Sequence, residues 1–262
     1  MALTDSLAAY YKLDETSGNA SDSVGSITLT NYGSTPYTTG LINNGADGET
    51  GTVDNQLLNT TQCPVTYAQT TSGFTISLWL KPNQTLDGTD RGFGGLNPSN
   101  GTLARYIQMR YFASSNTLQV RIGTSAGNTL FNTGINPTNG VWYHYVCTYD
   151  GSTLKTYVND SNTSTASFSI AAGYGSSANL VSCMGGTGGL GSDNVGAVID
   201  EYGFWSRALT STEISELYNG GAGLAYPFTT TSIKTINGLA IASVKTVNGL
   251  STASVKTVNG LA

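Results

Sequence analysis

From Val198 to Tyr218 the chain reads VIDEYGFWSRALTSTEISELY, and its apolar positions change period partway through. Up to Trp205 residues alternate two by two, which predicts a strand with Tyr202 and Phe204 on one face and Asp200 at the edge of that face, an acid aimed inward. After Trp205 the pattern becomes helical. Thr210 and Glu213 form a T-x-x-E capping box, Ile214, Leu217 and Tyr218 make an apolar stripe, and Asn219-Gly220-Gly221 stops the helix. Phe74, Ile76, Leu78 and Leu80 share one face of another strand, with Trp79 opposite, on an open sheet. Beyond Phe228, a polar linker at 229–232 leads into IKTINGLAIAS (233–243), VKTVNGLSTAS (244–254) and VKTVNGLA (255–262). Each copy sets Asn-Gly between β-branched runs: Asn237-Gly238, Asn248-Gly249 and Asn259-Gly260, the strongest short hairpin signal. The expected form is a meander of nine-residue strands and two-residue turns, with a flexible linker as the alternative. Three such strands cannot bury a core, so the repeats call for a partner, by packing beside copies from other subunits, docking onto another protein's sheet edge or stacking as a minimal solenoid.

Composition narrows the class. Only 10% of the 262 residues are charged, and 33 are glycine, which suits short strands joined by tight turns. A net charge of -5 without any Lys/Arg cluster excludes phosphate neutralisation, so neither nucleic acid nor an anionic membrane is an expected partner. No run approaches the length of a membrane span. The N-terminus lacks the basic and apolar regions of a secretory signal, and the three cysteines, Cys63, Cys147 and Cys183, read as unpaired thiols.

Four stretches in order, LAAYYKLDETSGNASDSVG (7–25), FTISLWLKP (74–82), VWYHYVCTYDG (141–151) and the I-D-E strand with its R-A-L and capped helix, resemble LamG-like jelly-roll domains of the concanavalin A-like lectin/glucanase superfamily. With KTYVND at 155–160, the resemblance covers about residues 3–220. It implies an all-β jelly-roll sandwich with one short C-terminal helix over residues 1–228, followed by a small β-rich appendage at 229–262. The resemblance also implies a structural calcium ion held by Asp22 and Asp200, with backbone carbonyls from Gly40–Gly45, because calcium accepts six to eight oxygens at loose geometry. The alternative is that Asp200 accepts backbone hydrogen bonds and Asp22 caps a turn. The C-terminal repeats resemble those of bacteriophage tail-fibre and virion structural proteins. Together with the missing export signal, they make a virion, assembled in a host cytoplasm as a homo-oligomer or with other virion proteins, the expected location.

The candidate chemistry is sparse. His144 is the sole histidine, and Cys147, three residues on, faces the other way, so it reads as a packed strand residue. No E-x-D-x-x-E hydrolase strand occurs, and Asp14-Glu15 and Asp200-Glu201 are adjacent pairs aimed to opposite sides. GTGGLG at 186–191 matches G-x-G-x-x-G by letter but has no βαβ context. Asp87-Gly88-Thr89-Asp90 reads as a solvated loop. The densest aromatic and basic patch holds Tyr106, Arg110 and Tyr111, and the loop before the closing strand adds Asp193 and Asn194; these five are the candidate ligand residues, since rings stack on sugars while amides and acids bind hydroxyls. The chain is expected to be a non-enzymatic virion surface protein displaying a glycan- or host-surface-binding domain. Its alternatives are a purely structural particle-stabilising module and, last, a glycoside-active enzyme.

Overall fold

The computed structural model describes residues 1–48, 56–59, 61–65, 72–86, 88, 90–98, 107–124, 127–169, 179–183 and 196–228, with four short tail segments at 235–236, 239–240, 246–247 and 250–251. It divides into two units, Met1–Tyr226 and Pro227–Ala262.

In chain order the first unit holds β1 (Leu7–Tyr11), β2 (Thr30–Tyr32), β3 (Tyr37–Thr39), β4 (Asn44–Asp47), β5 (Gln56–Asn59), β6 (Phe74–Pro82), β7 (Arg91–Pro98) and β8 (Ile107–Phe112). There follow β9 (Thr117–Thr124), β10 (Gly127–Asn132), β11 (Tyr143–Tyr149), β12 (Thr153–Val158), β13 (Ser161–Ser167), β14 (Asn179–Cys183), β15 (Ala197–Trp205) and a helix, α1 (Ser211–Tyr218). One antiparallel sheet runs β13-β12-β11-β6-β15-β4-β3, with β1 also paired to β15; the other runs β10-β9-β8-β7-β14-β5-β2. The result is an all-β jelly-roll sandwich with one short helix.

The core lies between the sheets and follows the two-residue period. Phe74, Ile76, Leu78 and Leu80 of β6 meet Tyr145, Cys147 and Tyr149 of β11 and Ile199, Tyr202 and Phe204 of β15 on the first sheet's inner face. Ile107, Met109 and Tyr111 of β8 and Leu118, Val120 and Ile122 of β9 face them from the second.

The closing strand departs from simple alternation. Ile199 pairs with Leu80 and Asp200 with Trp79, then the register slips and resumes at Gly203 with Ser77 and Phe204 with Ile76. Glu201 absorbs the extra residue with a left-handed φ of 48°, a costly conformation for a side-chain-bearing residue. The bulge corrects the sequence reading of Asp200. Both it and the core are buried, but Asp200 shares the Trp79 face rather than that of Tyr202 and Phe204, because the bulge puts two residues where one belongs.

The capping box is formed: Thr210 accepts from the Glu213 amide, Glu213 reaches back to the Thr210 backbone, and Asn219 ends α1 in the left-handed conformation. Ile214 and Leu217 are buried, and Tyr218 stacks on Trp79 at 5.7 Å, so Trp79 lies beneath the helix at 3% exposure. The expectation of an open sheet at Trp79 fails because the helical stripe needs an apolar surface to cover.

In the second unit Thr235–Ile236 pairs with Leu239–Ala240, and Thr246–Val247 with Leu250–Ser251, in two separate two-stranded sheets. In the first two repeats the described pairing is local, on either side of the Asn-Gly, while the third repeat lies outside the described residues. Asn237, Gly238, Asn248, Gly249, Asn259 and Gly260 themselves lie outside the described residues.

Candidate functional site

Two strand sequences define the outer face of the second sheet. Ile107-Gln108-Met109-Arg110-Tyr111 and Leu118-Gln119-Val120-Arg121-Ile122 alternate identically, apolar residues entering the core and a Gln and an Arg facing away from it. Because β8 and β9 are antiparallel, the register sets Arg110 against Gln119 and Gln108 against Arg121, two crossed Gln–Arg pairs side by side.

The first pair is closed. Arg110 donates through Nε at 2.9 Å and Nη2 at 2.5 Å to Gln119 Oε1, while its Nη1 meets Asp90 Oδ2 at 2.8 Å. Gln119 Nε2 in turn donates to Asn132 Oδ1, which also takes a hydrogen bond from Thr117 Oγ1. Asp90 Oδ1 accepts from the Ala113 amide, and the Arg110 guanidinium lies 4.4 Å over the Phe112 ring. Arg110 is 4% exposed, so such a chain of charge-assisted and amide hydrogen bonds holds its members in one geometry. β7 contributes no bulk here: Gly92 pairs with Arg110 and Gly95 with Gln108. Exposed Leu130 and Asn132 of β10 border the two rows.

Of the candidate ligand residues, Arg110 is the one this face holds. Tyr111 is a correction: it is wholly buried in the core, its hydroxyl donating to the Leu86 carbonyl at 2.5 Å and contacting Asn116 Oδ1, because it falls on the Met109 phase of β8. Tyr106, Asp193 and Asn194 lie outside the described residues, as does the glycine-rich 186–191 stretch. Asp90, expected in a solvated loop, instead anchors Arg110. Gln108, Gln119 and Asn132 went unnoticed, although the shared x-Q-x-R-x phase of two neighbouring strands was the available signal.

Asp22 and Asp200 accept hydrogen bonds from two separate sets of backbone amides. Asp22 accepts from the amides of Tyr10, Val24 and Ile27, and Asp200 from those of Leu41, Ile42 and its neighbour Glu201. Leu41 and Ile42, in the loop expected to offer carbonyl oxygens, turn their N–H groups toward Asp200. Among the described residues no group of three or more His, Cys, Asp and Glu is arranged to hold a metal ion. The hydrogen-bonding alternative describes both aspartates.

Burial raises Asp200 to about 8, against the opposing pull of its amide donors, and raises Glu201 to about 7. Glu201 Oε2 accepts from the Tyr10 hydroxyl at 2.5 Å, whereas its Oε1 is buried with no partner among the described residues. Asp14 pushes Glu201 further up and Lys12 draws it down. Tyr10 stacks on Tyr226 at 5.6 Å.

His144 stacks on Trp79 at 4.9 Å, and its Nε2 lies 2.8 Å from Ser77 Oγ. This pair is sealed under α1, and burial pushes the imidazole down to about 3, so it stays neutral. Cys63 and Cys147 are free thiols, and burial raises Cys63 to about 12.

A two-sheet jelly roll whose outer face carries a rigid polar network, and whose only described Ser–His pair is sealed beneath the helix, is a lectin-like domain, in which a binding role is favoured over an enzymatic one. The chain belongs to the concanavalin A-like lectin/glucanase superfamily: its Laminin_G_3 model matches residues 54–215. No curated protein matches it in sequence. Among solved structures, domain 4 of AbnA, a GH43 extracellular arabinanase from Geobacillus stearothermophilus in complex with arabinotriose, superposes with a TM-score of 0.59 at 19% identity, over 80% of this chain and 97% of that one. The binding domain of Paraclostridial Mosquitocidal Protein 1 gives 0.64 at 15% identity, over 84% of this chain and 53% of that one. The binding domain of Botulinum neurotoxin DC, solved in complex with SialylT, gives 0.61 at 14% identity, over 83% and 52%. The chain thus spans about half the length of the toxin binding domains, and at these identities the likeness is one of fold. Among the described residues no helix is long and apolar enough to cross a membrane.

Proposed function

We propose that this chain is a non-enzymatic glycan-binding module whose binding face is the outer side of the second sheet. The observation that carries the reading is the pair of crossed Gln–Arg rows on β8 and β9, one of them locked by Asp90 and Asn132. Sugar recognition needs amides and guanidinium groups held in place before the ligand arrives, beside some apolar surface, and Leu130 and Phe112 supply the latter. The complexes of AbnA domain 4 with arabinotriose and of the neurotoxin domain with SialylT support the idea that sandwiches of this shape bind glycans. The test is an oligosaccharide array probed with the wild type and with Arg110→Lys, which keeps the charge but loses the planar fork. Wild-type binding that weakens at least tenfold in the variant, at unchanged fold by circular dichroism, supports the reading. Silence across neutral and acidic glycans favours a purely structural module and refutes it; hydrolysis of any bound glycan refutes the non-enzymatic part.

The C-terminal repeats support a second element, display on a virion through assembly of residues 233–262 with their own copies or with other virion proteins. A two-stranded hairpin is marginal on its own, and the two described at 235–240 and 246–251 therefore support completion by a sheet edge from another copy or another protein. Deleting 229–262 should convert an oligomer to a monomer in light scattering; an unchanged mass would remove the assembly role.

A further inference from the structure

The two glutamines of the crossed pairs differ in how their amides are satisfied. Arg110 grips Gln119, yet Gln108, set in register against Arg121, has neither its amide oxygen nor its amide nitrogen hydrogen-bonded among the described residues, although it is fully buried. A buried primary amide normally satisfies both ends, because leaving either unpaired costs the full desolvation of that atom. On its other flank stands Gly95, which has no side chain to offer. Gly95 has a φ of 153°, and a Cβ there would run into the Ile107 carbonyl, so this flank is confined to glycine. The Gln119 row has Asn132 to take up the second amide end, whereas at the corresponding place the Gln108 row has the exposed Leu130.

We infer that Gln108 is the specificity-determining residue of the glycan face, its amide reserved for two adjacent hydroxyls of a neutral sugar ring. The inference rests on the glycan-binding reading above. An unpaired carboxamide offers one acceptor and two donors side by side, and vicinal hydroxyls, each both donor and acceptor, satisfy it at both ends. A sulfate or an ionised carboxylate has acceptors alone and would leave Gln108 Oε1 unsatisfied. Leu130 beside the same row provides the apolar surface on which the C–H face of a pyranose or furanose rests.

Gln108→Leu separates this role from a structural one because it moves stability and binding in opposite directions. The variant removes two unsatisfied buried atoms at nearly constant volume, so its melting temperature should rise by a few degrees. Its affinity for neutral trisaccharides, with arabinotriose, cellotriose and mannotriose as the probes, should fall tenfold or more, while wild-type protein binds at least one of them. A lower melting temperature in the variant would mean that trapped water or protein groups already satisfy the amide, and would overturn the assignment. Unchanged trisaccharide binding by Gln108→Leu, with Arg110→Lys impaired, would overturn it while leaving the glycan-binding face standing. Wild-type protein that binds sialylated but none of the neutral probes would refute the neutral-sugar assignment alone, and wild-type protein that binds no glycan would remove both readings.

Discussion

Replacing Glu201 with glutamine should change how stability depends on pH more than it changes stability at low pH. Glu201 sits in the bulge of β15, 3% exposed, with one carboxylate oxygen on Tyr10 and the other unpartnered among the described residues. Burial carries it from the ordinary 4.5 up to about 7, Asp14 adding to the rise and the Tyr10 hydroxyl and Lys12 opposing it. A carboxyl whose pKa is raised on folding holds its proton in the native state after the unfolded chain has lost it. Stability is therefore fully present below about pH 4.5, declines as the pH climbs, and levels off above about pH 7. Each pKa unit corresponds to about 1.4 kcal/mol, so the decline attributable to Glu201 is roughly 3 kcal/mol. Asp200, raised to about 8 in part by the Glu201 charge, extends the decline toward mildly alkaline pH. Glu213 does not interfere. Arg207 and the Thr210 cap outweigh its partial burial and hold it at about 2, so its contribution is present above the usual glutamate range and is lost only as the pH falls through that value.

Glu201→Gln cannot ionise, and its amide oxygen still accepts from Tyr10. Urea denaturation read by tryptophan fluorescence, at several pH values from about 4.5 to about 7.5, should show the wild-type midpoint falling across the series. In the variant that fall should shrink by about 3 kcal/mol, leaving it the more stable protein at the alkaline end. The two proteins should agree within about 1 kcal/mol at the acid end, where both carry a neutral side chain. Parallel curves, with the variant offset equally at every pH, would show that Glu201 titrates near its ordinary value, and would refute the claim that the bulge seals it from water.

Gly95→Ala should cost about 3 kcal/mol or more, because the added carbon both meets the Ile107 carbonyl and demands a φ that L residues avoid; a melting temperature within about a degree of wild type would contradict this packing. Thr210→Ala removes one half of the capping box and should lower stability by about 1 kcal/mol, whereas Thr210→Ser should be nearly neutral. An Ala variant as stable as wild type would show that α1 is held by Ile214, Leu217 and Tyr218 alone.

What was legible in the chain was whatever depends on local period. The 74–82 alternation, the capping box and the all-β class with its single helix are set by contacts between near neighbours, and each appears where the pattern puts it. Asp200 went astray because a bulge leaves no mark on a two-residue alternation: Glu201 pays the backbone strain, and the benefit, Leu41 and Ile42 amides closing on Asp200, comes from a loop about 160 residues away. Trp79 and Tyr111 were misjudged for a related reason. Whether an aromatic ring is surface or core depends on which layer covers its face, and α1 is remote from Trp79 in sequence. The outer face of the second sheet shows the intermediate case. Its Gln and Arg side chains stand in the sequence as two copies of x-Q-x-R-x, but antiparallel pairing turns the two like motifs into crossed pairs, and neighbouring side chains decide that the Gln119 amide is satisfied while that of Gln108 is not. A strand's own residues therefore state which groups are offered; the adjacent strands determine which of those groups are left for a ligand.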